Sequence, residues 1–307
     1  MKMINKYFIA LMVCFSLSAF AQSDCDEQCL AGVMNQYLSD VTEQDFSALP
    51  WADQVRYTEN NIAMMIGDGF WGAGPGVNSG GLILADETTG NVVWFGVTTE
   101  HGQAAYHGLR LKVVDREITE VESYVGREGT PDLFADTAGY EIPNLYSRNI
   151  RSSERRERER MIAVVDGYFN TKQLNDGVLF TEFSDGCERV TNGVNVTNDT
   201  EHWTARVAKG CQQQLELGIY KPVDRIRARR YPVVDLEKGV VVALSLEDHA
   251  ARYVDYQAKN GEQLKIDIEY PTSHGMLELF KIRDGKIEHI EGVSVFLPYY
   301  IHSLWSE

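Results

Sequence analysis

The chain has 307 residues, 45 acidic against 29 basic, and a formal charge of −16. Such a surface repels phosphate backbones and disfavours docking on anionic lipid, which argues against nucleic acid and against the membrane surface as partners. Its length suits two domains of common size.

The first 21 residues read as a secretory signal. Lys2 and Lys6 precede a dominantly apolar run from Tyr7 to Phe20, and Ala19-Phe20-Ala21 offers the small residues a signal peptidase needs, with cleavage after Ala21. The run is too short to span a bilayer comfortably, and no later segment approaches about 20 apolar residues. An uncleaved anchor is the alternative. A lipoprotein signal is disfavoured by the bulk of Val13 before Cys14. The expected location is therefore the periplasm or the exterior, with no membrane contact after cleavage.

Export changes how the cysteines read. Four remain after Cys14 leaves: Cys25, Cys29, Cys187 and Cys211. Four cysteines allow three pairings. Cys25 and Cys29 could meet at the first turn of a helix. Cys187 and Cys211 would close a loop worth about 3 kcal/mol in the chain-entropy model. An oxidising compartment favours disulfides. No histidine pair stands at ligand spacing beside either cysteine, so no metal is expected.

In chain order, "CLAGVMNQYLSDV" (Cys29 to Val41) has a helical pattern, and "VRYTENNIAMM" (Val55 to Met65) follows a polar turn. Three runs of strand character come next: "NVVWFGVTTE", "QAAYHGLRLKVV" and "EITEVESYV". The stretch from Gly126 to Asn149 lacks periodicity and reads as a linker. "RSSERRERER" (Arg151 to Arg160) has the charge spacing of a solvated helix, capped by Ser152 or Ser153. "ERMIAVVDGYFNTKQL" (Glu159 to Leu174) is a second helical pattern. It leads to "CERVTNGVNVT" and to the strand runs "RRYPVVDLEKGVVVALSLEDH" and "GMLELFKIRDGKIEHIEGVSVF".

The two halves thus say similar things in the same order. Each closes on a strand, a tight polar turn (Asp115-Arg116; Asp284-Gly285) and a returning strand. Leu109, Leu111 and Val113 share one face by the two-residue period, with Arg110 and Lys112 on the other. A duplicated domain follows: signal 1–21, first domain 22–127, linker 128–150, second domain 151–307.

The "DGKIEHIEG" hairpin after "LELFKIR", with an opening helix that carries Tyr168-Phe169, resembles a SnoaL-like domain of the nuclear-transport-factor-two-like superfamily. "YTENNIAMMIGDGFW" and "CERVTNGV" are similar to a secreted group with two such halves. The resemblance covers nearly all of the mature chain. It implies an α+β fold of two cones, each a curved antiparallel sheet wrapping N-terminal helices, with a pocket at the wide end. It also implies either cofactor-free isomerases, dehydratases and lyases that act on small organic molecules, or binding and dimerisation modules without chemistry. Fold alone does not choose between them.

The candidate residues follow from type and position. In the second cone His249 is the base, Tyr168 the donor to a developing oxyanion, and Asp185 the orienter. Tyr37, Tyr57, Glu59, Trp71 and His107 line the first cone. Arg189 sits where a strand enters the second sheet, and Arg229, with Arg227 and Arg230, could hold a substrate carboxylate or simply pair with surface acids. "GDGFWGAGPG" suits a flap with Phe70 and Trp71 as apolar lids, or a loop with a core tryptophan. For most of these, ordinary packing or surface roles are the alternative reading. Asn195 and Asn198 head formal glycosylation triplets that read equally as turns. No nucleophile elbow, phosphate loop, zinc-helix motif or dinucleotide fingerprint stands in a suitable context. No cofactor is expected. The expected partner is a small-molecule ligand, and a homodimer through exposed sheet faces is the further option.

Overall fold

A computed structural model describes residues 25–78, 80–130, 133–201, 207–266 and 268–306. The signal segment with its cleavage point lies outside the described residues. The first half runs α1 (Glu27–Glu43), β1 (Trp51–Glu59), β2 (Ile62–Ala63), β3 (Gly76–Val77), β4 (Leu82–Asp86), β5 (Asn91–Glu100), β6 (Gln103–Val114) and β7 (Glu117–Arg127). The second runs α2 (Arg158–Leu174), β8 (Glu182–Thr191), β9 (Val194–Asn195), α3 (Cys211–Glu216), β10 (Arg225–Asp235), β11 (Val240–His249), β12 (Asp255–Gln257), β13 (Gln263–Lys265), β14 (Thr272–Arg283) and β15 (Lys286–Pro298).

The fold is α+β, and the two halves share one topology. The first sheet is ordered β2-β1-β7-β6-β5-β3 with β4 also on β5, and the second β9-β8-β15-β14-β11-β10. Each sheet wraps one 17-residue helix, so the two halves repeat one arrangement. The sheets are not wholly antiparallel. The opening strand of each half, β1 or β8, lies parallel to the closing strand, β7 or β15. The chain reaches that edge only after the helix has crossed the sheet.

Local chemistry fixes the elements. Asp26 caps α1 by accepting from the Cys29 amide at 2.8 Å, beside the Cys25–Cys29 disulfide. Leu30, Met34, Tyr37, Leu38 and Val41 form its buried stripe, and Met161, Val164, Val165, Tyr168 and Phe169 that of α2. In both closing hairpins the two turn residues are left-handed (φ 51° and 66° at Asp115-Arg116; 53° and 77° at Asp284-Gly285), the geometry that matches strand twist. The Cys187–Cys211 disulfide ties β8 to α3.

The segment "RSSERRERER" departs from the expected helix. Ser152–Glu154 is a single 3₁₀ turn, with Arg151 and Glu154 capping each other, and α2 begins only at Arg158. Arg151 pairs locally with Glu154, but three later arginines pair with distant acids: Arg155 with Glu237, Arg156 with Asp284, Arg158 with Asp86. The first two of these distant pairs fix the segment to the turns of the second sheet, and Arg158–Asp86 carries it across the seam to the first half.

Strand alternation builds three cores. Inward residues of the first sheet (Val92, Trp94, Leu109, Leu111, Val113, Val121) pack on α1. Inward residues of the second (Val241, Ala243, Phe280, Ile282, Ile287, Ile290) pack on α2. The outer faces pack on each other through Val93, Phe95, Tyr106 and Tyr124 against Val242, Leu244, Leu277, Leu279 and Val295. The backbones come close there. A Cβ on Gly275 would lie 2.5 Å from the Tyr124 ring, and one on Gly108 2.9 Å from Leu277. The sheet faces that could have mediated a homodimer are therefore already covered within one chain.

Two further features tie the halves together. The C-terminal segment returns to the first sheet, where Asn61 donates to the His302 carbonyl at 2.8 Å and Trp305 Nε1 donates to Thr58 Oγ1 at 3.1 Å. The linker lays Tyr140 and Tyr146 over β15. Tyr140 donates to Glu291 at 3.0 Å, and the Tyr146 hydroxyl lies 2.9 Å from His289 Nδ1.

Burial raises the Glu291 carboxyl to about 8, against the single hydrogen bond from Tyr140 that favours its charge. The folded state thus keeps a proton that the unfolded chain releases near pH 4.3. Stability is lost as pH rises from there towards 8, and is flat above. Glu291→Gln should remove this slope, by roughly 1.4 kcal/mol per pH unit at its steepest. Urea midpoints at pH 5, 6, 7 and 8 should diverge in favour of the variant as pH rises; parallel curves would rule the effect out.

Candidate functional site

The second cone holds an open pocket of about 290 Å³. The inward faces of four strands supply its polar groups. Arg189 and Thr191 come from β8, Ser294 from β15, His274 and Glu278 from β14, and Glu247 and His249 from β11. Glu247 and His274 are direct cross-strand partners. Lys172 reaches in from the last turn of α2. Apolar walls come from Val196, Met276 and the covering segments that carry Ile219, Val223 and Ile266, while Leu133 arrives from the linker.

That cover is particular to the second half. β5 and β6 are joined by the tight turn His101-Gly102, whereas residues 250–271 separate β11 from β14 and contribute the β12–β13 hairpin. Tyr256, Leu264 and Ile266 pack there on Ile219 to form a small fourth core. The first half has no matching insertion.

The charges are arranged in a chain. Lys172 Nζ donates to Glu247 Oε2 at 2.5 Å. Burial works against both charges, but each holds the other ionised, so Lys172 stays above its ordinary range and Glu247 below its own. Arg189 Nη1 donates to the Tyr168 hydroxyl at 3.0 Å, and its guanidinium lies 5.1 Å from the centre of the Tyr220 ring. Burial raises the Tyr220 phenol to about 12, and its hydroxyl donates to Gln214 at 2.5 Å. Glu278 is only 4% exposed, and burial pushes its carboxyl up despite the fields of Lys172 and Arg189. On the pocket wall, burial and nearby His274 push His249 down, so its imidazole is neutral near pH 7, with a buried Nε2 that has no hydrogen-bond partner.

The predicted residues divide accordingly. His249 and Arg189 line the pocket. Tyr168 lies one layer behind, its ring buried among Phe169, Phe183 and Phe280, and it reaches the pocket only through Arg189. Asp185 does not join them. It is exposed on β8 where the register with β15 shifts, beside a left-handed Gly186. Arg229 bonds Asp166 at 3.0 Å and Asn170 at 2.7 Å on α2 and takes no part in the pocket. Arg227 and Arg230 likewise bond Asp248 and Glu122. Asn195 accepts from the Thr197 amide and Asn198 donates to the Cys187 carbonyl, as turn residues do.

The first cone is filled. Phe70 and Trp71 are not lids over an open pocket. They are buried plugs, and Trp71 meets the rings of Tyr37 at 5.0 Å, Phe46 at 5.9 Å and Trp51 at 6.3 Å. Tyr57 donates to the Asp68 carbonyl at 3.2 Å. Glu59 accepts from the Phe70 amide at 2.6 Å and from Arg127 at 2.7 Å, which holds the plug in place. His107 sits between Phe70 and Trp94 and shares a 2.7 Å hydrogen bond with Ser123. Burial, then Arg127, pushes it down to about 3.

Register compares the cones directly. Each sheet carries an irregularity just before its closing turn, at Lys112/Val113 and Lys281/Ile282. Matching the turns sets Leu109 where Glu278 stands, Tyr57 where Arg189 stands and Thr98 where Glu247 stands. Matching the helices sets Val41 where Lys172 stands. All four charged positions of the second pocket are uncharged in the first.

Sequence reasoning missed Lys172, Glu247 and Glu278. The signal was present: Glu278 interrupts the apolar run "GMLELFKI" on the same parity as Phe280, which no solvent-facing position in a doubly covered sheet would explain.

Among the described residues no helix is long and apolar enough to cross a membrane, and no group of three or more His, Cys, Asp or Glu could hold a metal ion. A family model described as "Domain of unknown function (DUF8021)" matches residues 154–294, the half that holds the pocket. No curated protein matches the chain. Among solved structures, an NTF2-like protein of unknown function from Cytophaga hutchinsonii ATCC 33406 is 12% identical over 45% of this chain and 97% of its own, with a TM-score of 0.25. A second NTF2-like protein from the same organism is 13% identical over 46% and 99%, with a TM-score of 0.28. LinA is 12% identical over 47% and 91%, with a TM-score of 0.27. At these scores the architecture rests on the strand order itself.

Proposed function

We propose that the second cone is the working half of an exported protein that moves a proton on a small organic molecule without a cofactor, as a lyase, dehydratase or isomerase. One observation carries this reading: the pocket gathers a fixed cation, a carboxylate with a raised pKa and an unpaired neutral imidazole, while the first cone has uncharged residues at every position of the Lys172, Arg189, Glu247 and Glu278 quartet. Perturbed titratable groups that converge in a cleft are the usual mark of proton-transfer sites.

In this scheme Arg189 holds a substrate oxygen on which charge develops. Glu278 removes a proton from the neighbouring carbon, and its raised pKa brings it nearer the working pH where a general base is most effective. The electron pair of the broken C–H bond moves towards the oxygen at Arg189. It then returns, either to expel a substituent on the next carbon or to take a proton at a different carbon. His249, on the pocket wall with a free Nε2, takes the proton on from the base. Tyr168 positions Arg189, and the Lys172–Glu247 pair keeps the local field constant. The disulfides and the signal reading support export.

The alternative is a pocket that binds without chemistry. It is favoured by the internal pairing of Lys172 with Glu247 and of Arg189 with Tyr168. The test is a thermal-shift screen of the mature protein against a metabolite library, followed by NMR of each hit in deuterated buffer. Deuterium uptake or a new product supports the enzyme. Tight hits that neither exchange nor turn over would establish the binding module.

A further inference from the structure

We infer that the second-cone pocket takes a monocarboxylate of roughly ten non-hydrogen atoms in all, with an apolar body and its carboxylate seated on Arg189. This deepens the reading above, on which it rests, by naming the ligand's charge and shape.

The argument starts from charge balance. A guanidinium carries five N–H donors and is costly to bury without an anion. Other arginines of the two sheets meet that need with carboxylates: Arg110 and Arg230 with Glu122, Arg127 with Glu59 and Glu100, Arg227 with Asp248. Arg189 is half-buried; it touches only the Tyr168 hydroxyl and the face of Tyr220, Glu278 acts on it through its field without an ion pair, and its Nε is buried without a partner. Among the described residues no carboxylate forms an ion pair with it. Lys172 does not share the vacancy, because Glu247 already bonds it.

The remaining polar groups narrow the choice. One cation is open, so one negative charge is matched. Glu247 and Glu278 flank the site and oppose a second, which disfavours phosphate and dicarboxylates. A planar carboxylate also fits the fork of a guanidinium in a way that an isolated alcohol or amide does not. Beyond Arg189 the walls are apolar: Val196, Ile219, Val223, Ile266, Met276 and Leu133. A volume of about 290 Å³ holds roughly ten water-sized groups at about 30 Å³ each. Octanoate has that size and polarity and serves as the probe.

The experiment compares octanoate, octanamide and octylamine by thermal shift and calorimetry on the full mature chain, its Arg189→Met variant and, should that variant fold poorly, Arg189→Lys. Octanoate should bind the parent, octanamide and octylamine should bind at least tenfold more weakly, and Arg189→Met should weaken octanoate by roughly 10- to 100-fold, the range for a charge-assisted hydrogen bond to a buried partner. Preference for octylamine, equal binding of octanamide, or no binding of any of the three would overturn the assignment. So would octanoate binding that survives both substitutions. The two readings fail separately. Deuterium exchange on a neutral or cationic compound from the library would sink the carboxylate class and leave proton transfer standing. Arg189-dependent octanoate binding, with no compound exchanged or turned over, would sink catalysis and leave the class in place.

Discussion

Glu122→Ala should lower the stability of the whole protein by about 3–5 kcal/mol, the usual cost of removing one partner from a buried ion pair. The Glu122 side chain is 1% exposed on the outer face of β7. It accepts from Arg110 Nε at 2.9 Å and from Arg230 Nη1 and Nη2 at 2.9 and 2.5 Å. Arg110 belongs to the first sheet and Arg230 to the second, so a single carboxylate bridges the halves. Both guanidiniums also lie over the Trp305 ring, at 4.7 and 5.5 Å from its centre. Alanine would leave Arg230 without its carboxylate and Arg110 with that of Glu120 alone, both cations against one indole. Urea denaturation followed by tryptophan fluorescence should show a lower midpoint, and Glu122→Gln should recover only part of it because the amide keeps the shape and loses the charge. A midpoint equal to the parent's would mean that Glu120 and Asn91, which also bond Arg110, carry the site without Glu122.

The second large effect is kinetic. Glu278→Gln should reduce turnover of any substrate found by roughly 10²–10⁴-fold, the contribution of a positioned general base. Glutamine has the same shape and cannot accept the proton, so KM and the thermal midpoint should move little. A pH profile should separate the roles further. In the parent, kcat/KM should rise with pH through an apparent pKa above the ordinary glutamate value, because burial raises the Glu278 carboxyl. His249→Ala should leave that limb in place and lower the rate by less. If His249→Ala abolishes turnover and Glu278→Gln does not, the imidazole is the base.

What was legible in the sequence follows the range of the forces involved. The closing hairpins were readable because Asp115-Arg116 and Asp284-Gly285 carry their geometry locally. The inward parity of Leu109, Leu111 and Val113 was readable because period two is a property of one strand. The parallel pairing of β1 with β7 and of β8 with β15 was not, since it joins residues some sixty or more positions apart. "RSSERRERER" has helical spacing, yet Glu237, Asp284 and Asp86 reach it from elsewhere, and long-range pairs override it. His249 and Arg189 were reachable as unusual residue types at strand ends. Glu247 and Glu278 look like surface charges until the outer sheet face is known to be covered, which leaves their parity nowhere to point but inward, and Lys172 looks like a solvent-facing helix residue until its Glu247 partner is placed. Asp185 failed for the converse reason: an irregular pairing in β8 turns it to solvent.

The internal pairing of the two sheets has a consequence for how such a pocket can change. In a dimer of identical subunits, every substitution is made twice, and a residue that improves one cavity must be tolerated in the other. Here the pairing face is shared between two different segments of one polypeptide. One copy is free to fill its interior with tryptophan and tyrosine and gain cohesion. The other can hold buried charge at a cost that the first copy, joined to it through Glu122 and Trp305, helps to bear. The covalent tandem thus permits a division of labour between scaffold and site that twofold symmetry forbids.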